Sequence, residues 1–447
     1  MCHNIKELYE KFVQFPFICT DTRKITPNCL FFCLKGENFD GNLFVNEALE
    51  KGAKYVITDV RCEICDMRCE ICDMRYETRE NKSQISNPKS HISNPIIVVD
   101  DVLATLQQLA NYHRNQLQIP IIGITGTNGK TTTKELMAAV LAKRYKTAFT
   151  QGNLNNHIGV PLTLLSIKND DEIAVIEMGA NHVGEIAELC RIAQPDYGLI
   201  TNIGKAHLEG FGTIENIIET KTALYRAAET VFVNGEDEVL RCRGGFHTHQ
   251  KILFYGQNTE TSATITEMNP CLKINLFGNT IPTQLTGSYN LSNILGAAAV
   301  GRFFGVSEND ICNAIAEYSP QNNRSQIIKN KTNTLIADYY NANPTSMKAA
   351  LENLLQIDAP HKLAILGDML ELGENSVSEH QTIIDFCISN QLETFFIGTN
   401  FFTLKNEKAH FFMNVEECNN YLKKNKIENR FILLKGSRGT KLEDILI

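Results

Sequence analysis

Ile121-Ile122-Gly123-Ile124-Thr125-Gly126-Thr127-Asn128-Gly129-Lys130-Thr131-Thr132 is the stretch that decides the fold. A short apolar run of strand type passes into a glycine-rich turn. Helical spacing then resumes, with Leu136, Met137, Val140 and Leu141 on one face. Strand, turn and amphipathic helix in that order are the setting a phosphate-binding loop requires. Glycines let backbone N–H groups close around phosphate oxygens, and the helix N-terminus adds a partial positive charge. Lys130 is placed to neutralise the β- and γ-phosphates, and Thr131 to offer its hydroxyl to Mg²⁺. The usual pattern wants a glycine six residues before the lysine; Ile124 stands there, and Gly123 lies one residue further off. A glycine-rich turn without a ligand is the plainer alternative, but so dense a Gly-Lys-Thr-Thr run in this context favours nucleotide.

Outward from this loop, strands and helices alternate. Ile173–Ile176, Gly198–Thr201 and Val231–Val233 are short apolar runs separated by segments of helical spacing. After Tyr318-Ser319-Pro320 a second series begins with Leu335–Ala337, Leu363–Leu366, Phe395–Ile397 and Phe431–Leu434. Such alternation favours parallel, doubly wound sheets. Toward the N-terminus, Phe31–Leu34 and Tyr55–Ile57 read as a small α/β unit, closed by a strand at Ile96–Val99 and a helix over Leu103–Tyr112. The expected fold is α/β in three domains: a small N-terminal domain over residues 1–100, a central doubly wound domain carrying the nucleotide loop over 101–318, and a second alternating α/β domain over 319–447.

Composition narrows the function classes. The chain has 447 residues, 43% hydrophobic and 21% charged, ordinary for a globular protein. A net charge of −8 argues against a general nucleic-acid binder. No run approaches the ~18–20 apolar residues of a membrane span, and Met1–Tyr9 carries no signal-peptide pattern. Fourteen cysteines diluted over this length read as reduced thiols. A cytoplasmic, monomeric, multidomain enzyme is the expectation.

Several polar clusters fall at element ends. Glu177 closes the run Ile173–Ile176, where a carboxylate faces the ligand crevice of a parallel sheet and can hold a hard cation. His207 follows another strand end; each of the two, taken alone, is more often structural. The amide-rich loop Gln151–Pro161 reads equally as a polar turn. Lys221 sits among Ile214, Ile217, Ile218, Leu224 and Tyr225 on one helical face. Either its amine snorkels to water, or it is partly buried with a lowered pKa. Asn290, Arg324, Asp338-Tyr339-Tyr340-Asn341-Ala342-Asn343-Pro344 and Lys435-Gly436-Ser437-Arg438 complete the set.

In this order these motifs resemble the Mur ligase family of peptidoglycan synthesis, over nearly the whole chain from Asp21-Thr22-Arg23 to Arg438. The phosphate loop is shared with folylpolyglutamate synthetases. Tyr340–Pro344 and Leu366-Gly367-Asp368-Met369-Leu370-Glu371-Leu372-Gly373 resemble the branch that adds D-alanyl-D-alanine, and the Asp-Asn-Pro-Arg run of diaminopimelate-adding ligases is absent. Asn42 stands after Phe39-Asp40-Gly41 where the family usually has histidine.

The resemblance implies that the central domain is a P-loop ATPase and the C-terminal one Rossmann-like, with ATP and Mg²⁺ as cofactors and UDP-N-acetylmuramoyl-tripeptide and D-alanyl-D-alanine as partners. It implies ADP-forming ligation through an acyl phosphate. Lys130, Glu177, His207 and Lys221 take the catalytic roles, with Thr131, Glu177, His207 and a carbamylated Lys221 at the metal sites. Gly126, Thr127, Asn128, Gly129, Lys130, Thr131 and Thr132 hold phosphates, and Asn290, Arg324 and Asp338 surround the adenosine. Asp21, Thr22, Arg23, Asn155, Asn156, Asn341, Asn343, Lys435, Ser437 and Arg438 are the implied substrate contacts. A different amide ligase of this family, or a nucleotide switch that ligates nothing, remains the alternative.

One segment stands apart. Cys62-Glu63-Ile64-Cys65-Asp66-Met67-Arg68 recurs unchanged at residues 69–75, and Ile85-Ser86-Asn87-Pro88 recurs as Ile92-Ser93-Asn94-Pro95. Two Cys-x-x-Cys pairs suggest zinc, yet the intervening residues repeat too, as a duplicated coding segment would produce. The insertion over 61–95 is expected to be a loosely packed surface excursion without metal.

Overall fold

The computed structural model describes residues 4–37, 39–59, 95–321 and 323–447. Except for Pro95, the repeat insertion over 61–95, with its zinc question, lies outside the described residues. The chain packs as two compact units.

The first unit comprises Met1–Gln118, Leu154–Asn169 and Arg191–Ala193. Its parallel sheet runs in the order Ile18–Cys19, Leu30–Phe32, Tyr55–Thr58, Ile96–Val98. Phe31, Cys33, Val45, Ala48 and Val56 are buried on its core side. Lys35–Gly36 and Phe39–Asp40 pair antiparallel. The expected helix near Leu103–Tyr112 spans Val102–Gln116, because Asp101 caps it by accepting from Ala104 N and its buried face continues through His113 and Arg114, which bond to Ile167 O and Ala193 O.

The second unit holds two six-stranded sheets. The first is fully parallel, in the order Lys251–Tyr255, Thr230–Asn234, Tyr197–Ile200, Ile121–Thr125, Ile173–Glu177, Thr147–Phe149. Strand order reverses beside Ile121–Thr125, so a crevice opens at that strand's carboxyl end. Helix Lys130–Leu141 leaves from there, and Leu136, Met137, Val140 and Leu141 are fully buried against Ile122 and Ile124 in one core. Each such side chain contributes roughly 1.5–3 kcal/mol. A three-stranded antiparallel sheet, Ala263–Met268, Leu272–Leu276 and Asn279–Pro282, adds to this core.

The other six-stranded sheet runs Gln326–Lys329, Thr334–Asp338, Phe431–Lys435, Lys362–Gly367, Thr394–Ile397, His410–Phe412. Only its first strand pairs antiparallel. Both sheets are doubly wound, as the alternating sequence implied. Among the described residues no helix is long and apolar enough to cross a membrane.

Candidate active site

The phosphate loop is held open by its glycines. Gly129 has φ +80° and caps helix Lys130–Leu141 without a side chain, which leaves the first N–H groups of the helix for an anion. A Cβ there would enter the Asn293 amide, and one on Gly126 would enter the Thr201 hydroxyl. The loop is braced from the next strand: Thr201 Oγ1 and Asn202 Nδ2 donate to Asn128 O at 2.6 and 3.0 Å, and Asn128 N donates to Asn202 Oδ1 at 3.0 Å.

Lys130 is not an exposed loop residue. It is the first residue of the helix and half-buried, and its Nζ donates to Gly126 O at 2.8 Å and Thr127 O at 3.1 Å. Burial pulls its ammonium down to about 8, with the Arg324 guanidinium adding to the effect and Glu177 opposing it.

Glu177 closes its strand beside Ile124 and is 1% exposed. Thr131 Oγ1 donates to its Oε1 at 3.2 Å, Thr150 Oγ1 accepts from its N–H at 2.9 Å, and Lys134 Nζ lies 3.4 Å from its Oε2. Lys221, on helix Ile214–Ala227, is 2% exposed and donates to Gly126 O at 3.2 Å, with its Nζ 5.8 Å from the centre of the Phe211 ring. The helical face therefore buries the amine completely rather than in part, although Ile214 at the end of that face is exposed. Burial first, and Lys130 second, push the Lys221 pKa well below its ordinary value. His207 takes a left-handed conformation at φ 50°, and its Nδ1 meets the Glu371 carboxylate, which it holds below the usual range.

Three family segments match this chain: the Mur ligase family catalytic domain over residues 14–114, the Mur ligase middle domain over 124–301, and the Mur ligase glutamate ligase domain over 323–438. UDP-N-acetylmuramoyl-tripeptide–D-alanyl-D-alanine ligase of Bacillus subtilis is 33% identical, across 96% of this chain and 92% of that protein. The chain belongs to the Mur ligase family. MurF from Acinetobacter baumannii superposes with a TM-score of 0.81 at 30% identity, over 96% of this chain and 92% of that one. MurF ligase from Thermotoga maritima in complex with ADP gives 0.77 at 26% identity, over 96% and 95%.

Within this Mur ligase the remaining expected residues fall into two groups. In the second unit, Asn290 Nδ2 donates to Thr286 O at 2.7 Å and its Oδ1 accepts from Asn293, so it shapes the wall behind the phosphate loop. Arg324 lies over the Tyr340 ring at 3.8 Å, with Arg438 at 5.9 Å. Asp338 accepts from Ser325 N and from Lys435 Nζ, at 3.1 and 2.7 Å. Lys435 is only 2% exposed and turned to that carboxylate, while Ser437 accepts from Leu370 N at 3.0 Å. Asn343 caps helix Pro344–Gln356 and donates to Asn128 Oδ1 at 2.8 Å, whereas Asn341 and Arg438 are exposed.

The first unit of this Mur ligase holds Asp21, Thr22, Arg23, Asn155 and Asn156. Asp21 accepts from Arg23 Nε and Nη2 at 2.9 and 2.8 Å, which lowers its carboxyl to about 2. Asn156 Oδ1 accepts from Gly159 N at 2.9 Å, at the first residue of helix Gly159–Leu165. Asn42, the departure from the family's histidine, bridges Asp40 and Asp59 through Nδ2, at 2.8 Å each, and accepts from Thr58 at 2.6 Å.

Sequence reasoning passed over Lys134 and gave Asn202 and Glu371 no role. Lys134 stands one helical turn after Lys130, on the same face. That spacing was the available signal.

Proposed function

We propose that this chain is an ATP-dependent ligase that joins D-alanyl-D-alanine to the peptide carboxylate of UDP-N-acetylmuramoyl-tripeptide, in the cytoplasm, as a step of peptidoglycan precursor synthesis. The observation that carries it is the open phosphate loop at the strand-order reversal, with Lys130, Glu177 and Lys221 converging on it. The full-length similarity to D-alanyl-D-alanine ligases supplies the substrates. A three-domain division at 1–100, 101–318 and 319–447 is part of this reading; the three matched segments support it, the first continuing past residue 100.

A carboxylate is a poor acyl donor. The tripeptide carboxylate oxygen attacks the γ-phosphorus of ATP, ADP leaves, and an acyl phosphate results. The neutral dipeptide amine then adds to the acyl carbon, and the tetrahedral adduct expels phosphate and loses a proton. Phosphoryl transfer depends on positioning and charge neutralisation, which the loop N–H groups and Lys130 supply. Asn290, Arg324 and Asp338 line the adenosine side in this reading. Asp21, Thr22, Arg23, Asn155 and Asn156 hold the sugar nucleotide, and Asn341, Asn343, Lys435, Ser437 and Arg438 serve the peptide substrates.

The Thr131 hydroxyl and Glu177 carboxylate meet at 3.2 Å, and such oxygen donors fit Mg²⁺ and would hold it. Bound there, Mg²⁺ would neutralise charge on the transferring phosphate. His207 and Lys221 would serve a second ion. The lowered Lys221 pKa suits addition of CO₂: the neutral amine forms the N–C bond, a proton leaves to solvent, and the carbamate offers two oxygens. ADP formation measured with each substrate omitted in turn tests the assignment.

A further inference from the structure

Lys134 and Glu177 form a salt bridge at 3.4 Å whose two side chains are each 1% exposed. Lys134 Nζ also donates to Gly152 O at 3.4 Å. Taking both charges out of water offsets most of their attraction, and an apolar pair of similar volume would serve stability as well or better. The placement points elsewhere. Lys134 Nζ lies beside the Glu177 oxygen opposite the one that accepts from Thr131, so a cation flanks one carboxylate oxygen and a hydroxyl binds the other, while Thr150 Oγ1 accepts from the Glu177 N–H.

We propose that Lys134 is a positioning residue: by holding Oε2 of Glu177 it fixes the rotation of that carboxylate and presents Oε1, beside Thr131, to the divalent cation that accompanies the nucleotide. This rests on the reading of Glu177 as a metal ligand. Without Lys134 the carboxylate loses the cation beside Oε2 and is drawn toward the ammonium of Lys130, whose charged form Glu177 favours. Cation affinity then falls although every metal ligand is intact. Outer partners of metal ligands are worth about 10–100-fold in affinity or activity.

The test uses the full chain and its Lys134→Met, Lys134→Arg, Glu177→Gln and Lys134→Met/Glu177→Gln variants. ADP binding is measured by calorimetry with Mg²⁺ and with chelator, alongside turnover and the half-saturating Mg²⁺ concentration. Lys134→Met is expected to bind ADP in chelator within about threefold of wild type, while the gain in affinity on adding Mg²⁺ shrinks about tenfold or more. Lys134→Arg is expected to recover most of that gain. An undiminished gain in Lys134→Met overturns the positioning role. Should Lys134→Met fail to fold, the double variant decides: its neutral pair leaves no buried charge alone, and it should match Glu177→Gln. A further loss of about tenfold beyond Glu177→Gln would mean that Lys134 does not act through Glu177. If Glu177→Gln itself leaves the Mg²⁺ effect intact, the metal reading of Glu177 fails, and this proposal with it.

Discussion

Asn343 Nδ2 donates to Asn128 Oδ1 at 2.8 Å, across 215 positions of sequence. The same Asn343 accepts from Ser346 N at 2.9 Å as the cap of helix Pro344–Gln356. One side chain thus ties the phosphate loop to the start of a helix in the other doubly wound sheet of its unit.

Asn343→Ala should cost about 1 kcal/mol through the lost cap alone, in addition to the bond to the loop. Asn128→Ala should lose only the bond. Denaturant unfolding of both single variants and the double variant is expected to give a coupling of about 0.5–1 kcal/mol. Strictly additive losses would show that the two amides do not interact in solution.

Lys130 should take up protons when nucleotide binds. With its pKa near 8, the amine is half protonated at pH 8, and a phosphate beside it restores the charged form. ADP binding at pH 8 is therefore expected to draw about half a proton, falling to nearly none at pH 6, where the amine is already charged. Calorimetry in buffers of different ionisation enthalpy reads this directly; a binding enthalpy independent of buffer at pH 8 contradicts it.

How much of this was legible in the sequence follows from how local each signal is. The phosphate loop was readable because its glycines, lysine and threonines are contiguous, and their strand and helix follow period rules. Strand Ile173–Glu177 was readable for the same reason. Thr147–Phe149 was not, since an edge strand half in contact with water needs no apolar run. Ala263–Met268 has no buried residue and likewise hides among polar ones. Lys134 looks like any helix lysine until a carboxylate 43 positions later is folded against it. Nor could spacing reveal that Leu154–Asn169 packs with the N-terminal unit, because that depends on contacts such as Gln107 Nε2 to His157 O at 3.0 Å.

Lys221→Ala should be nearly inactive, because it removes both the amine on Gly126 O and the carbamate the metal site is read to need. Millimolar acetate should restore part of the activity by lending a carboxylate to the vacated volume. For the wild type, activity should fall as pH drops through the lowered Lys221 pKa, since only the neutral amine adds CO₂. Full activity in Lys221→Ala without added acid would sink this role.

Gly129→Ala should lose nucleotide affinity by at least about tenfold and cost about 1–2 kcal/mol in stability. Its φ of +80° is unfavourable for alanine, and the new methyl would displace the Asn293 amide that accepts from Thr133 Oγ1 at 3.1 Å. Calorimetry with ADP and a thermal melt check both; unchanged binding would place the nucleotide elsewhere.

The most direct measurement is ADP and phosphate release by the purified chain with ATP, UDP-N-acetylmuramoyl-tripeptide and D-alanyl-D-alanine, with the nucleotide product weighed by mass spectrometry. The account predicts release only when all three are present, one ADP per pentapeptide formed, and loss of turnover in a folded Lys130→Ala variant. ADP release that ignores D-alanyl-D-alanine, or a Lys130→Ala variant within tenfold of wild type, would contradict it.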